Sequence, residues 1–368
     1  MRADDAGDAR GLPPPAAVLL AAGAASLVAG VWGGLARAGV AGGVPVGTWP
    51  GAHGPLMVCG VLGTVIAVER AVALGRAWGW AVPALAAASA LALVAGAPPP
   101  WPAALATAAA VGLVAMHVVW WRRAPSAFLS VMALGAGAWA GGNALWLAGG
   151  AFPDVVPWWM AFLVLTIAGE RLELGRVLGG GGDRAMLAAA ALVALALAVA
   201  SADRDAGVRV LGAAFLALAA WMVRYDVARR TVRQRGLARY VAVCLLGGQT
   251  WLAVGGTLMV AAGGVVDGPL YDALVHAVLV GFVFSMVFGH APIIGPAVLD
   301  VPVAYHPALY APLALLHGAL ALRVAGDVGG APSLRAWGSV GNAVALALFA
   351  SVLAGATLLD RRRGVAGR

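Results

Sequence analysis

The chain has 368 residues, of which 62% are apolar and 11% charged. That balance excludes a soluble globular fold, which averages about 45–50% apolar and ~25% charged and lacks the interior to hide so much apolar surface. The net charge of +8 comes from 24 cations that are all arginine; set in short loops, they point to membrane topology and anionic lipid and not to a nucleic acid.

In chain order, residues 1–12 are polar and hold Asp4, Asp5, Asp8, Arg2 and Arg10. This lacks the short basic start of a cleaved signal peptide and reads as a cytoplasmic tail. Apolar runs of about 20 residues follow, the length that spans a ~30 Å hydrocarbon core. They do not alternate as barrel strands do, so the fold class is all-α: an integral membrane bundle of twelve transmembrane helices. The spans are expected near 13–36, 50–74, 80–98, 102–121, 126–149, 155–178, 184–201, 207–225, 237–262, 269–291, 305–326 and 336–358. They form one domain, 13–358, with a basic cytoplasmic tail at 359–368. Breaks fall at Pro98 to Pro100, Arg122-Arg123, the glycines 179–182 and Pro292 to Pro302; His290-Ala291-Pro292 reads as the end of the tenth helix. Thr48 is the expected N-cap of the second span, with Pro50 in its first turn.

Charge orients the bundle. One side collects Arg2, Arg10, Arg76, Arg122, Arg123, Arg184, Arg224, Arg229, Arg230, Arg233, Arg235, Arg239 and Arg361 to Arg363; the other holds Arg37, Arg204, Arg209, Arg323 and Arg335. The positive-inside rule then places both termini in the cytoplasm. Trp49, Trp78, Trp80, Trp101, Trp120, Trp121, Trp158 and Trp159 lie near helix ends, as interfacial belts do. Cys59 and Cys244 fall inside apolar runs and form no metal motif.

Six histidines carry the main chemical signal, because ionisable groups in membrane spans are costly and mark function. His53 lies one turn into the second span and His276 two turns into the tenth, both entered from the external side, so their depths match. Two neutral imidazoles facing each other across a bundle are what an axially ligated haem iron needs. His53, Met57, Gly60 and Thr64 share one face at a period of 3.6, where Gly60 admits a flat macrocycle. Asp272, four residues before His276, is placed to accept its second ring N–H. The plainer reading of any one such histidine is a hydrogen bond to a neighbouring helix.

His290, His306, Glu170 and Glu173 form a tentative second metal site at the cytoplasmic side, near Glu69, Arg70, Arg171, Arg176 and His117; the competing reading is helix-end ion pairs. Asn143, Gln249 and His317 are isolated polar groups in apolar spans, suited to interhelical bonds or to a transport path. No P-loop, GxSxG elbow or HExxH is present, so hydrolase and ATPase chemistry has no support and no catalytic residue is assigned.

The run His276-Ala277-Val278-Leu279-Val280-Gly281, then Met286 and Gly289-His290, resembles the HAxxxG…M…GH pattern of the NnrS family of haem- and copper-containing membrane proteins. The stretch His53 to Gly60 resembles that family's HxHEMxxG motif through His53, Met57 and Gly60, with Pro55 and Leu56 in place of its second histidine and glutamate. Gly169-Glu170-Arg171 is similar to its glycine–arginine signature, and Leu320 to Val324 to its LLRV segment. A wider resemblance is to the twelve-helix catalytic subunit of haem–copper oxidases, whose low-spin haem is held by histidines of helices two and ten. By that resemblance Arg323 and Arg335 pair with haem propionates, as bidentate arginines do with carboxylates. Spans six and seven lack histidine, so copper is not expected. The resemblance implies haem b between His53 and His276, a bacterial-type inner (plasma) membrane, and electron transfer or handling of nitric oxide under nitrosative stress, with a redox protein or small gas as partner and no nucleic acid. Three other classes stay open: a cofactor-free multi-pass transporter or permease, a metal-binding membrane subunit, and a structural subunit.

Overall fold

The computed structural model describes residues 14–40, 47–177, 181–299 and 305–366. The polar N-terminal tail and part of the Pro292–Pro302 break lie outside them. Twelve helices are long and apolar enough to cross a membrane: α1 (Ala16–Arg37), α2 (Trp49–Leu74), α3 (Ala77–Val94), α4 (Trp101–Arg123), α5 (Ala127–Leu147), α6 (Phe152–Arg176), α7 (Asp183–Ala200), α8 (Arg204–Tyr225), α9 (Gly236–Ala262), α10 (Gly268–Ile293), α11 (Pro307–Val328) and α12 (Pro332–Leu358). No strand occurs among the described residues. The protein is thus an all-helical, multi-pass membrane bundle, with spans within a few residues of those expected from apolar run length.

Local chemistry sets several ends. Ser126 caps α5 by accepting from the Leu129 N–H, and Asp203 caps α8 by accepting from the Ala206 N–H. Gly75 closes α2 in the left-handed region at φ 63°, where a side chain would be strained. Thr48 does sit at the N-cap of α2 and Pro50 in its first turn, but the Thr48 side chain makes no capping bond. Two helices outrun expectation. The helix of α10 continues through Pro292 to Leu299, because a proline removes one i→i−4 bond without forbidding the rest. That of α12 continues to Ala366, so most of the basic tail is helical.

Sequential helices pack as neighbours, as short loops require, and α10 also meets α1, α2 and α6. Three spans form the centre: in an 18-residue apolar stretch of each, 61% of the residues of α2, 72% of α6 and 72% of α10 are buried, against 17% of α12. Trp101 is 64% exposed and Trp78 41%, as an interfacial belt requires. Trp159 is instead fully buried and donates to Asn143 Oδ1 at 2.8 Å. Its place near a helix end in sequence hid that its face of α6 points into the bundle.

The two central helices that carry His53 and His276 share a second feature. Leu56–Gly63 in α2 and Ala277–Phe284 in α10 are wound as π-helix, each starting within three residues of its histidine. Such segments are uncommon and concentrate at functional sites. Their wider turn also shifts the register of everything downstream.

Candidate functional site

The α2 and α10 backbones deliver His53 and His276 to the same membrane end as close neighbours. Their ring centroids lie 6.2 Å apart with an interplanar angle of 21°. The His53 Nδ1 is 2.7 Å from the Gly30 carbonyl of α1, and the His276 Nδ1 is 2.8 Å from the Asp272 carbonyl one turn back. A carbonyl only accepts, so each ring carries its hydrogen on Nδ1 and keeps a lone pair on Nε2. Two neutral imidazoles with free Nε2 atoms are a ligand pair in waiting.

They line a cavity of about 510 Å³, within the ~300–1,000 Å³ of cofactor and ligand pockets. Its apolar wall includes Met57, Val58, Leu62, Leu279, Val280 and Phe284, and its polar rim Arg37, Tyr271, Asp272, Arg323 and Arg335. Six of the seven residues expected at a cofactor therefore border one space: His53, Met57, Asp272, His276, Arg323 and Arg335. Gly60 does not. A Cβ there would meet Ala90 and Ser26, so it serves helix packing against α1 and α3. The expectation assumed 3.6 residues per turn, and the π-helix between His53 and Gly60 breaks that period.

Asp272 also acts differently from expectation. Its carbonyl, and not its carboxylate, makes the close bond to His276, while Oδ1 stands 3.3 Å from Nδ1. The carboxylate is held by Arg323 in a bidentate pair of 2.7 and 2.8 Å. Arg335 approaches Asp327 only to 3.8 Å, and Arg37 has no acidic partner among the described residues. The arginines with guanidinium hydrogens left for an anion are thus Arg37 and Arg335, ahead of Arg323.

Sequence reasoning missed the part played by α1. Gly30 and Gly34 lie one turn apart; a Cβ on Gly30 would meet the Met57 side chain, and one on Gly34 would come 2.8 Å from His53 Cε1. The signal was present, because small residues at i and i+4 let membrane helices approach closely.

The opposite end of α2 and α10 holds the second cluster. Arg70 pairs with Glu170 of α6 and stands 3.7 Å from Glu69, while His290 Nε2 is 4.0 Å from Glu170 Oε2. Arg171 grips Asp226 at 2.7 and 3.1 Å, both residues nearly fully buried. His306 instead accepts from the Ala308 N–H at the start of α11 and is exposed. His290, Glu170, Glu173 and His306 do not assemble: no group of three or more metal-binding side chains occurs among the described residues. Arg176 lies over the Phe128 ring, 5.6 Å from its centroid. The isolated polar groups are also partly spent. Asn143 donates to the Ala106 carbonyl at 3.0 Å and accepts from Trp159, whereas both polar atoms of the Gln249 side chain are buried without a partner.

A family model described as "Domain of unknown function (DUF8744)" matches residues 16–358. The chain belongs to that family. No curated protein and no solved structure matches it. The matched range runs from the first span through the last, so the bundle as a whole is the DUF8744 unit.

Proposed function

We propose that this DUF8744 chain is a membrane haem protein that holds one b-type haem between His53 and His276 and works in electron transfer. The observation that carries the reading is the imidazole pair itself. A bound metal sits ~2 Å from an imidazole nitrogen, and the ring centroid lies roughly an ångström behind that, so two opposed ligands put their centroids ~6 Å apart. The 6.2 Å spacing matches that of two rings that turn their Nε2 edges to one iron from opposite sides, and bent tetrahedral ligation would bring the rings closer. The π-segments, the cavity and the free rim arginines, Arg37 and Arg335, which suit propionates, support the same reading. The group when bound supplies one-electron chemistry. The chain holds it, fixes both ring tautomers through Gly30 and Asp272, and keeps an apolar wall against water.

With His53 and His276 both holding the group, no ligand position would be left open to a gas, which favours electron transfer over gas binding. The nitric oxide handling implied by the NnrS resemblance requires one imidazole to leave the iron. In this reading the protein sits in a bacterial-type inner membrane with both termini cytoplasmic, which puts the haem at the external leaflet.

The test is the visible spectrum of the full chain purified in detergent from cells supplied with haem. A Soret band with sharp reduced α and β bands is expected, lost in His53→Ala and in His276→Ala. A colourless wild-type protein, or haem content unchanged in both variants, overturns the proposal.

A further inference from the structure

Asp327 is a buried carboxyl of this end with no part in holding the two rings. Its side chain is 0% exposed, one residue before the end of α11. No donor reaches either carboxyl oxygen among the described residues, and the Asp272 carboxyl stands within hydrogen-bond reach, so a proton on Asp327 would be shared with it. Around it stand Arg323 on its own helix, Arg335 of α12, and Asp272 of α10 with His276 behind it; the adjoining cavity, which Asp327 does not itself line, is bordered further by Arg37 of α1, His53 of α2, and Asp267 and Tyr271 at the start of α10. Arg323 is committed to Asp272 along one edge of its guanidinium, through Nε and Nη2. Arg335 reaches Asp327 only at 3.8 Å, beyond hydrogen-bond range.

A carboxylate cut off from water and from donors is unfavourable, and such a group takes a proton instead. Asp272 keeps its charge because Arg323 satisfies it. Asp327 is left as a buried carboxyl that no donor satisfies. It also has an electrostatic line to the rings, through the Asp272 carboxylate that stands 3.3 Å from His276 Nδ1. Charge added at the imidazole pair is felt along that line, because the groups are a few ångströms apart and mostly buried.

We propose that Asp327 is a proton-binding site whose occupancy follows the electron occupancy of the His53–His276 site. The inference rests on the haem reading above. When a one-electron donor protein or a chemical reductant adds an electron to the iron, the Asp327 carboxylate forms an O–H bond with one proton drawn from water. When the electron leaves, that bond breaks and the proton returns to water. One electron and one proton move, and no other bond changes.

The experiment is a spectroelectrochemical titration of the full-length, haem-loaded protein across ~pH 5–9. The wild-type midpoint potential is expected to fall as pH rises, with a limiting slope of about 59 mV per unit, the value for one proton per electron. Asp327→Asn, which keeps shape and removes the titration, is expected to flatten the slope while keeping the reduced bands. Arg335→Gln removes a nearby cation and is expected to move the sloping region to higher pH. Should Asp327→Asn fail to accumulate, a pH-indicator dye reads proton uptake on reduction of the wild type in weak buffer, with up to one proton per electron expected. A haem-loaded wild type with a flat potential and no proton uptake, or a slope unchanged by Asp327→Asn, overturns this inference alone. A protein without a Soret band overturns the haem reading and this inference with it.

Discussion

At one membrane end, α2 and α10 bring His53 and His276 to 6.2 Å beside a cavity; at the other, the same two helices bring Glu69, Arg70 and His290 up to Glu170 of α6. Both clusters mix imidazole, carboxylate and guanidinium. They differ in what stays unsatisfied. At the His53 end each ring spends its Nδ1 hydrogen on a backbone carbonyl and keeps Nε2 for something else. At the far end the charges mostly consume one another, and Glu170 serves Arg70 and His290 together. A membrane cluster becomes a site through its leftover valence, and composition alone does not tell the two ends apart.

The largest effects should separate the ends by cofactor. His53→Ala and His276→Ala are each expected to abolish bound haem, measured per mole of folded protein. His290→Ala is expected to leave haem content unchanged. Loss of haem in His290→Ala would erase the distinction between the ends and make the far cluster part of the binding site.

The next effect belongs to the far end and to stability. Arg171 and Asp226 are buried and paired through two hydrogen bonds, so removing one partner strands a charge. Arg171→Ala is expected to cost about 3–5 kcal/mol, read as a fall in the thermal unfolding midpoint in detergent. The double replacement Arg171→Met with Asp226→Leu is expected to recover most of that, because a buried ion pair and an apolar pair of similar size often balance. Equal destabilisation by the single and the double variant would show that the charges do more than satisfy each other.

The fold was legible because it follows from run length: twelve apolar stretches gave twelve spans, and a proline in α10 and a basic run at the end of α12 misled only at the edges. The candidate site was legible in outline, since matched depth in two spans that run the same way across the membrane needs no side-chain detail. What failed was anything that required helical phase. Gly60 was placed by a 3.6-residue period that the π-helix of α2 interrupts, and no composition signal marks a π-helix. Pairings across the bundle were equally hidden. Nothing in the spacing says that Arg323 meets Asp272, 51 residues away, in preference to a ligand. The approach of α1 was readable from Gly30 and Gly34 and was overlooked because glycine carries no chemistry of its own.

That approach offers a subtler test of the His53 end. A Cβ at position 34 would stand 2.8 Å from His53 Cε1, and the ring is tied to the Gly30 carbonyl on the same helix. Gly34→Ala should therefore tilt the ring or push α1 away without removing a ligand. The expected result is roughly tenfold weaker haem retention, the lower bound for disturbing a group that orients a ligand. A Cβ at Gly137 of α5 would meet nothing within 4 Å, so Gly137→Ala is the control and should leave haem binding unchanged. Equal behaviour of the two variants would mean that α1 does not position His53.

The smallest expected effect concerns His317, which belongs to neither end. Trp251 Nε1 donates to its Nδ1 at 3.0 Å, so the ring hydrogen sits on Nε2, 3.4 Å from Ser285 Oγ. Ser285 in turn donates to the Cys244 carbonyl at 2.7 Å, leaving its oxygen free to accept. The chain of bonds ties α9, α10 and α11 together and spends both ring nitrogens, unlike the rings of His53 and His276. His317→Leu should cost only about 0.6 kcal/mol, the average for an interhelical hydrogen bond in a membrane, and at most ~1.7 kcal/mol, and leave the haem spectrum intact. Retained stability with loss of a transported solute would favour the permease reading. A changed spectrum would mean that the middle of the bundle feeds the His276 site through α10.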